Sequence, residues 1–272
     1  MASFDDYLDR LLSRGRSHFS RDEAARSAGL KPAALSTALA RATKRRRVVS
    51  PRQGFYIILR PEDWIAGAPD PVRWIDPLMR HQRLAYRVSL LRAAAFHGAS
   101  HQASMVFQVV VPRQLRPIEI GRHRLQFVYQ SPAAFAETNR PEWLGRIKSD
   151  AGFATVAGIE LTLLDCARYF RKASGICGVA QIVLDIGAKA KPATLRALAA
   201  HYESATVRRL GYLLDRLGHA RQARALEGFA REQRNLVPLN PGATASGLRR
   251  SLAPKVDARW KLLLNDSVEV AR

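Results

Sequence analysis

The sequence predicts an α+β protein: an N-terminal winged helix-turn-helix, followed by a larger mixed domain with a small antiparallel sheet and a helical C-terminal half. Three observations predict it. In the first 60 residues, three helical patterns lead into two short apolar runs on either side of "SPRQG". Between 105 and 129, "MVFQVVVP" and "RPIEIGRHRLQFVYQ" are rich in β-branched and aromatic residues over strand lengths. From Ile159 onward, apolar residues recur at helical spacing over most of the chain. The boundaries that follow are a winged-helix domain over 1–60, a docking linker over 61–80 and a C-terminal domain over 81–272.

Residues 3–14 place Phe4, Tyr7, Leu8, Leu11 and Leu12 on one helical stripe, with Ser3 before it and Gly15 after it. A short linker ends at Ser20. "SRDEAARSAGL" then pairs Ser20 with Glu23 three residues on, a capping-box pattern, and Gly29 closes this second helix. The third, "KPAALSTALARATKRR", has Pro32 in its first turn and buries Leu35, Leu39 and Ala42. Arg47 to Val49 reads as a strand, "SPRQG" as a turn and "FYIIL" as the returning strand. Pro61, Pro69, Pro71 and Pro77 punctuate a linker ordered by Trp64 and Trp74. A helix is expected over 81–97, an antiparallel meander over 105–129 with "IGRH" as its tight turn, and a strand at "GFATVAG". Helices follow at 159–172, 176–188, 192–202, 206–217 and 219–233, then the loop "NPGATASG" and "ARWKLLLND".

Composition narrows the partners. The 272 residues hold 44 Lys and Arg against 23 Asp and Glu, a formal charge of +21. A field of that sign favours polyanions: DNA, RNA or an anionic membrane surface. Residues 1–60 carry 13 basic and 5 acidic side chains, and 151–272 carry 19 and 10, so both ends are strongly basic. The two cysteines, Cys166 and Cys177, show neither CxxC spacing nor a nearby His cluster. This argues against a zinc site or a disulfide framework and fits a reducing cytoplasm. The N-terminus lacks the apolar segment of a signal peptide, and no apolar run is long enough to span a bilayer.

Within the three-helix-plus-hairpin order, the third helix is the natural reader of a DNA groove. Ser36, Thr37 and Arg41 are candidates for base edges; Lys31, Lys44, Arg45, Arg46 and Arg47 are candidates for the phosphate backbone. Arg52 and Gln53 fall at the wing tip, where a minor-groove or phosphate contact is expected. A second basic series, Arg208, Arg209, Arg216, Arg221 and Arg224, continuing to Arg231 and Arg234, is open to three readings. It is a solvated face, a second phosphate-contact surface, or a face toward a toxin or RNA.

His97 and His101 stand four residues apart as a metal pair would, but Gly98 interrupts them and no third ligand is near, so a helix end is expected. Cys166 sits in the apolar stripe of "LLDCARYF" and reads as a buried, inert thiol. No GxxxxGK[ST] loop, HExxH, nucleotidyltransferase-type Gly-Ser start or Asp/Glu-x-Lys pair occurs, so no enzyme, metal or cofactor is expected.

A series of phrases carries a family resemblance: "GFYIILRPED", "YRVSLLRAAAFHGASHQ" at 86–102, "ELTLLDCARY" at 160–169, "VRRLGYLLDRLG" at 207–218 and "RWKLLLN" at 259–265. In this order they resemble the AbiEi family of bacterial antitoxins, transcriptional regulators paired with nucleotidyltransferase-like toxins. The resemblance implies an N-terminal winged helix that binds and represses the operon's own promoter, and a C-terminal domain that serves the antitoxin effect. It implies double-stranded promoter DNA and a cognate toxin as partners. Lys31-Pro32 departs from the usual Ser or Thr at the start of a recognition helix. The alternative is a stand-alone winged-helix regulator whose C-terminal domain senses a ligand.

Overall fold

Ser3 opens the first helix, α1 (Phe4–Ser13), by a reciprocal pair of bonds. Its hydroxyl accepts the Asp6 N–H at 3.1 Å, and the Asp6 carboxylate accepts the Ser3 N–H at 2.7 Å. Tyr7, Leu8 and Leu11 are buried along its inner stripe. The segment expected to be a linker contains a strand, β1 (His18–Ser20), too short to give a periodic signal. Ser20 then caps α2 (Arg21–Ala28), accepting the Glu23 N–H, and Gly29 ends that helix in the left-handed region at φ 61°. Next, α3 (Pro32–Lys44) starts without a side-chain cap. Its proline needs no N–H partner in the first turn.

The hairpin is β2 (Val48–Arg52) and β3 (Phe55–Ile58), turning at Gln53-Gly54. β3 lies between β1 and β2 in an antiparallel sheet, and the register shifts between Val49 and Arg52. The strand therefore runs through "SPR", where the sequence predicts a turn. Pro51 is tolerated because β2 is an edge strand. Tyr7, Leu11, Phe19, Leu35, Leu39 and Val48 form the core beneath the three helices.

Residues 61–80 are ordered as two 3-10 turns, Pro61–Asp63 and Pro71–Arg73, and a helix, α4 (Ile75–His81). Trp74 is fully buried, its indole N–H donating to the Pro69 carbonyl at 2.9 Å. Trp64 is 50% exposed, so only one of the two tryptophans expected to order this stretch is buried. The helix expected over 81–97 is broken by a strand, β4 (Arg87–Val88), before α5 (Leu90–Phe96). Val88 pairs with Val109 on one side and Val156 on the other. This interior sheet position outweighs a helical apolar pattern that is equally compatible with a short buried strand.

The remaining strands are β5 (Val106–Val111), β6 (Ile118–Ile120), β7 (His123–Tyr129), β8 (Leu144–Ser149) and β9 (Gly152–Ala157), with α6 (Pro132–Thr138) between β7 and β8. Their order is β6-β7-β5-β4-β9-β8. β6 and β7 form the expected antiparallel hairpin around Gly121-Arg122, but β5 pairs with β7 in parallel. The sheet is thus mixed, not an antiparallel meander; local turns fix neighbours in sequence, not the insertion of one strand beside another.

The helical half is α7 (Ile159–Arg168), α8 (Gly175–Ile186), α9 (Pro192–Ala199), α10 (Ser204–Arg216) and α11 (Ala220–Arg231). A three-stranded sheet missed in sequence follows: β10 (Val237–Pro238), β11 (Lys255–Asp257) and β12 (Leu262–Leu264), ordered β10-β12-β11. Asp165 on α7 is fully buried and accepts bonds from Ser89 Oγ and Tyr202 Oη, both at 2.7 Å. Each of its two carboxyl oxygens is thereby met by a hydroxyl from another segment.

The computed structural model describes residues 3–99, 106–149, 152–242 and 255–270. They divide into two compact units. The first holds the described residues up to Val88, from Val106 to Pro132 and from Arg146 to Val156, and so includes α1 to α3 and most of the six-stranded sheet. The second holds the rest, dominated by α5 and α7 to α11.

Candidate nucleic-acid interface

The outer face of α3 follows from its inner one. Leu35, Leu39 and Ala42 are turned into the core, so Ser36, Thr37, Ala40, Arg41 and Lys44 face out, all exposed, with Lys31 exposed just before the helix. Ser36 and Thr37 donate their hydroxyls to the carbonyls four residues back, Pro32 at 2.9 Å and Ala33 at 3.1 Å. Each oxygen keeps acceptor capacity toward solvent. Ser36 uses its own: the Arg21 guanidinium donates to it at 2.7 Å. Arg21, in the first turn of α2, therefore joins this face. No local sequence pattern marks it, because only the crossing of α2 and α3 brings residues 15 positions apart into contact.

The basic run "KRRR" has a defined geometry. Arg45 is the C-cap of α3, and Arg46 adopts a left-handed conformation at φ 55°. The Arg46 N–H donates to the Thr43 carbonyl and the Arg47 N–H to the Ala42 carbonyl, at 3.0 and 2.8 Å. These two bonds make a Schellman motif, in which the left-handed position is usually glycine. An arginine there costs about 1–2 kcal/mol of backbone strain, yet its side chain is exposed. Arg47 is tied to Asp9 on α1, and Arg45 lies 3.7 Å from Asp5 while remaining 68% exposed. Lys44 and Arg46 make no ion pair among the described residues. A groove of about 520 Å³ between the start of α1 and α3 is lined by Phe4, Leu30, Ala34, Thr37, Arg41 and Arg45, among others.

The hairpin tip departs from expectation. The Arg52 guanidinium donates to the Arg116 carbonyl and lies 5.7 Å from the centre of the Phe127 ring. Burial and the nearby Arg116 charge lower its pKa. Behind it, His81 approaches the Gln53 carbonyl at 3.3 Å and packs against Phe55. Arg52 thus fastens the hairpin to the loop before β6 and to β7 within the first unit and does not ride a free tip. Gln53 alone of the two expected tip residues presents an exposed side chain.

The second basic series separates into two groups. Arg208 and Arg209 are 2% and 9% exposed. Arg208 donates to the Asn235 carbonyl at 2.8 Å, and Arg209 to those of Pro238 and Leu239. They clamp the C-terminal strands and do not form a surface, a placement hidden in sequence because their acceptors are backbone atoms about 30 residues away. Arg216, Arg221 and Arg224 are exposed.

His97 ends α5 and its ring bonds the Ala157 carbonyl at 2.7 Å, in keeping with a helix-end role; His101 lies outside the described residues. Cys166 is fully buried, and burial, with Asp165 beside it, pushes its thiol pKa well up. No group of three metal-ligating side chains among the described residues could hold an ion. No helix among them is long and apolar enough to cross a membrane.

Comparison with known proteins bears on the region after the hairpin. Residues 87–216 match the AbiEi antitoxin C-terminal domain. No curated protein matches the chain. Among solved structures it is similar to the RV2827C protein from Mycobacterium tuberculosis, with a TM-score of 0.61 and 15% identity over 94% of this chain and 89% of that one. At that identity the likeness establishes a shared α+β fold.

Proposed function

From the premise that the chain belongs, through residues 87–216, to the AbiEi antitoxin family, we propose that it is a cytoplasmic DNA-binding repressor and antitoxin, not an enzyme. It acts on the promoter of an operon that also encodes a nucleotidyltransferase-like toxin. Residues 1–60 act as a winged helix-turn-helix, 61–80 dock it, and 81–272 supply the antitoxin function. In this reading α3 lies in the major groove. Thr37 and Arg41 meet base edges, Ser36 and Arg21 flank them, and Lys31, Lys44, Arg45 and Arg46 meet phosphates. Bound protein then blocks polymerase.

The observation that carries the reading is Arg46. Its left-handed backbone would be relieved by glycine, and its exposed side chain has no ion pair among the described residues. A cation held at such a cost, beside the exposed polar face of α3, fits a phosphate contact.

Two measurements test this. If about six phosphates are neutralised, affinity for promoter DNA falls on the order of a thousandfold between about 50 and 200 mM salt; an essentially salt-independent affinity sinks the reading. Arg46→Gly should stabilise the fold by about 1 kcal/mol while weakening specific and random DNA alike, whereas Thr37 or Arg41 to Ala should change preference among operator sequences. The antitoxin half is tested by co-expressing the full chain with the product of the adjacent reading frame. Failure to rescue growth from a nucleotidyltransferase-like product would refute it.

A further inference from the structure

Two glycines in the C-terminal helices make opposite statements. On α10, a Cβ at Gly211 would lie 2.0 Å from the buried Trp260 ring, so the fold itself demands glycine there. On α11, a Cβ at Gly228 would meet nothing within 4 Å. Gly228 lies within the helix and its φ is not positive. Alanine in its place would make the helix more stable. Nothing within the described residues accounts for this glycine.

Its surroundings supply a reason. Arg221, Arg224, Gly228 and Arg231 are all exposed and fall at i, i+3, i+7 and i+10, one face of α11. Arg221 to Arg231 spans about 15 Å along the axis. Arg221 and Arg224 make no ion pair among the described residues; Arg231 contacts Glu227 at 3.0 Å, which also lies 3.4 Å from Arg259. The face carries three arginines and, just past its last turn, the exposed Glu232 at i+11; its basic residues are all arginine, and it offers no exposed aromatic ring on which a base could stack. Forked guanidiniums on either side of a bare patch of backbone suit a ridge of phosphates that must come close.

We infer that this face of α11 is a second, sequence-independent contact for the phosphate backbone of duplex DNA, with Gly228 as the point of closest approach. The inference rests on the DNA-binding reading, and its test separates the two. Binding of the full chain to random-sequence duplex DNA is measured as a function of salt, with thermal midpoints recorded for every variant. Arg221→Gln with Arg224→Gln should lower the slope of log affinity against log salt by about 1.8 and leave the midpoint unchanged. Gly228→Ala should raise the midpoint by about 2 °C and still weaken binding several-fold, a combination that a merely structural glycine would not give.

If those variants bind like wild type while Arg41→Gln with Lys44→Gln lowers the slope, the α11 contact is overturned and the α3 reading stands. If the wild-type chain itself shows no salt-dependent DNA affinity, both fall. If the α11 variants lose duplex RNA but keep duplex DNA, or lose only a co-purifying toxin, the face belongs to that other partner and the inference is overturned.

Discussion

At Arg45 and Arg47, the side chains that favour a polyanion are opposed by carboxylates of the same molecule. Asp5 and Asp9 on α1 stand beside them. In the proposed DNA complex, phosphate would compete with these carboxylates for the two guanidiniums. Asp5→Asn together with Asp9→Asn should therefore raise affinity for random DNA, by up to about fivefold per pair given that exposed pairs hold under about 1 kcal/mol. Fluorescence anisotropy at low salt reads this directly, and an unchanged or weaker affinity would show that neither arginine meets DNA.

His18 gives a second prediction at this scale. Burial is the largest influence on it, with the Arg16 and Arg80 charges acting in the same direction and Glu23 and Asp76 opposing, and its pKa is pushed down to about 4. The unfolded chain then takes up a proton that the folded one refuses. Stability from this residue is complete above the ordinary value of 6.5 and is lost as pH falls toward 4. Urea midpoints should decline between about pH 7 and 5 in the wild type, and less steeply in His18→Gln. Equal slopes for the two proteins would remove His18 from the account.

At the scale of elements, the C-terminal strands are locked to α10 by complementary residues. Trp260 is fully buried against Gly211, and its indole N–H and Arg259 both donate to Asp215. Arg208 and Arg209 meet the strand carbonyls from the same helix. Two phrases of the family resemblance, "VRRLGYLLDRLG" and "RWKLLLN", are thus the two sides of one packed contact. Gly211→Ala should destabilise the fold by about 1–3 kcal/mol through overpacking. Combined with Trp260→Leu, its cost should be smaller than the sum of the two single changes. Additive losses in a thermal-melt cycle would mean that the indole does not limit this site.

At the scale of the whole molecule, charge and burial answer different questions. The +21 excess favours polyanions as a class, because a net field acts at a distance. It does not say which arginines do the work. Arg52, Arg208 and Arg209 look equivalent to Arg41 and Arg221 in a count of charges, yet the first three are engaged with carbonyls within their own units. The salt dependence of DNA binding should accordingly respond to Arg41 and Arg221 and not to Arg208.

By itself the sequence determined the α+β class, the caps at Ser3 and Ser20, the buried stripe of α3 and the helices after Ile159. Each of these is a local matter: a hydroxyl meeting an N–H three residues on, or a repeat of apolar residues at 3.6-residue spacing. Tertiary structure alone decided the rest. β1 and β4 exist because a partner strand lies beside them, and β5 runs parallel to β7 because of how the sheet assembled. Arg21 joins the face of α3, and Arg52 leaves the hairpin tip, through contacts 15 and 64 residues apart in the chain. Strand pairing and side-chain-to-carbonyl bonds depend on what approaches from elsewhere, and no local pattern of residues records that approach.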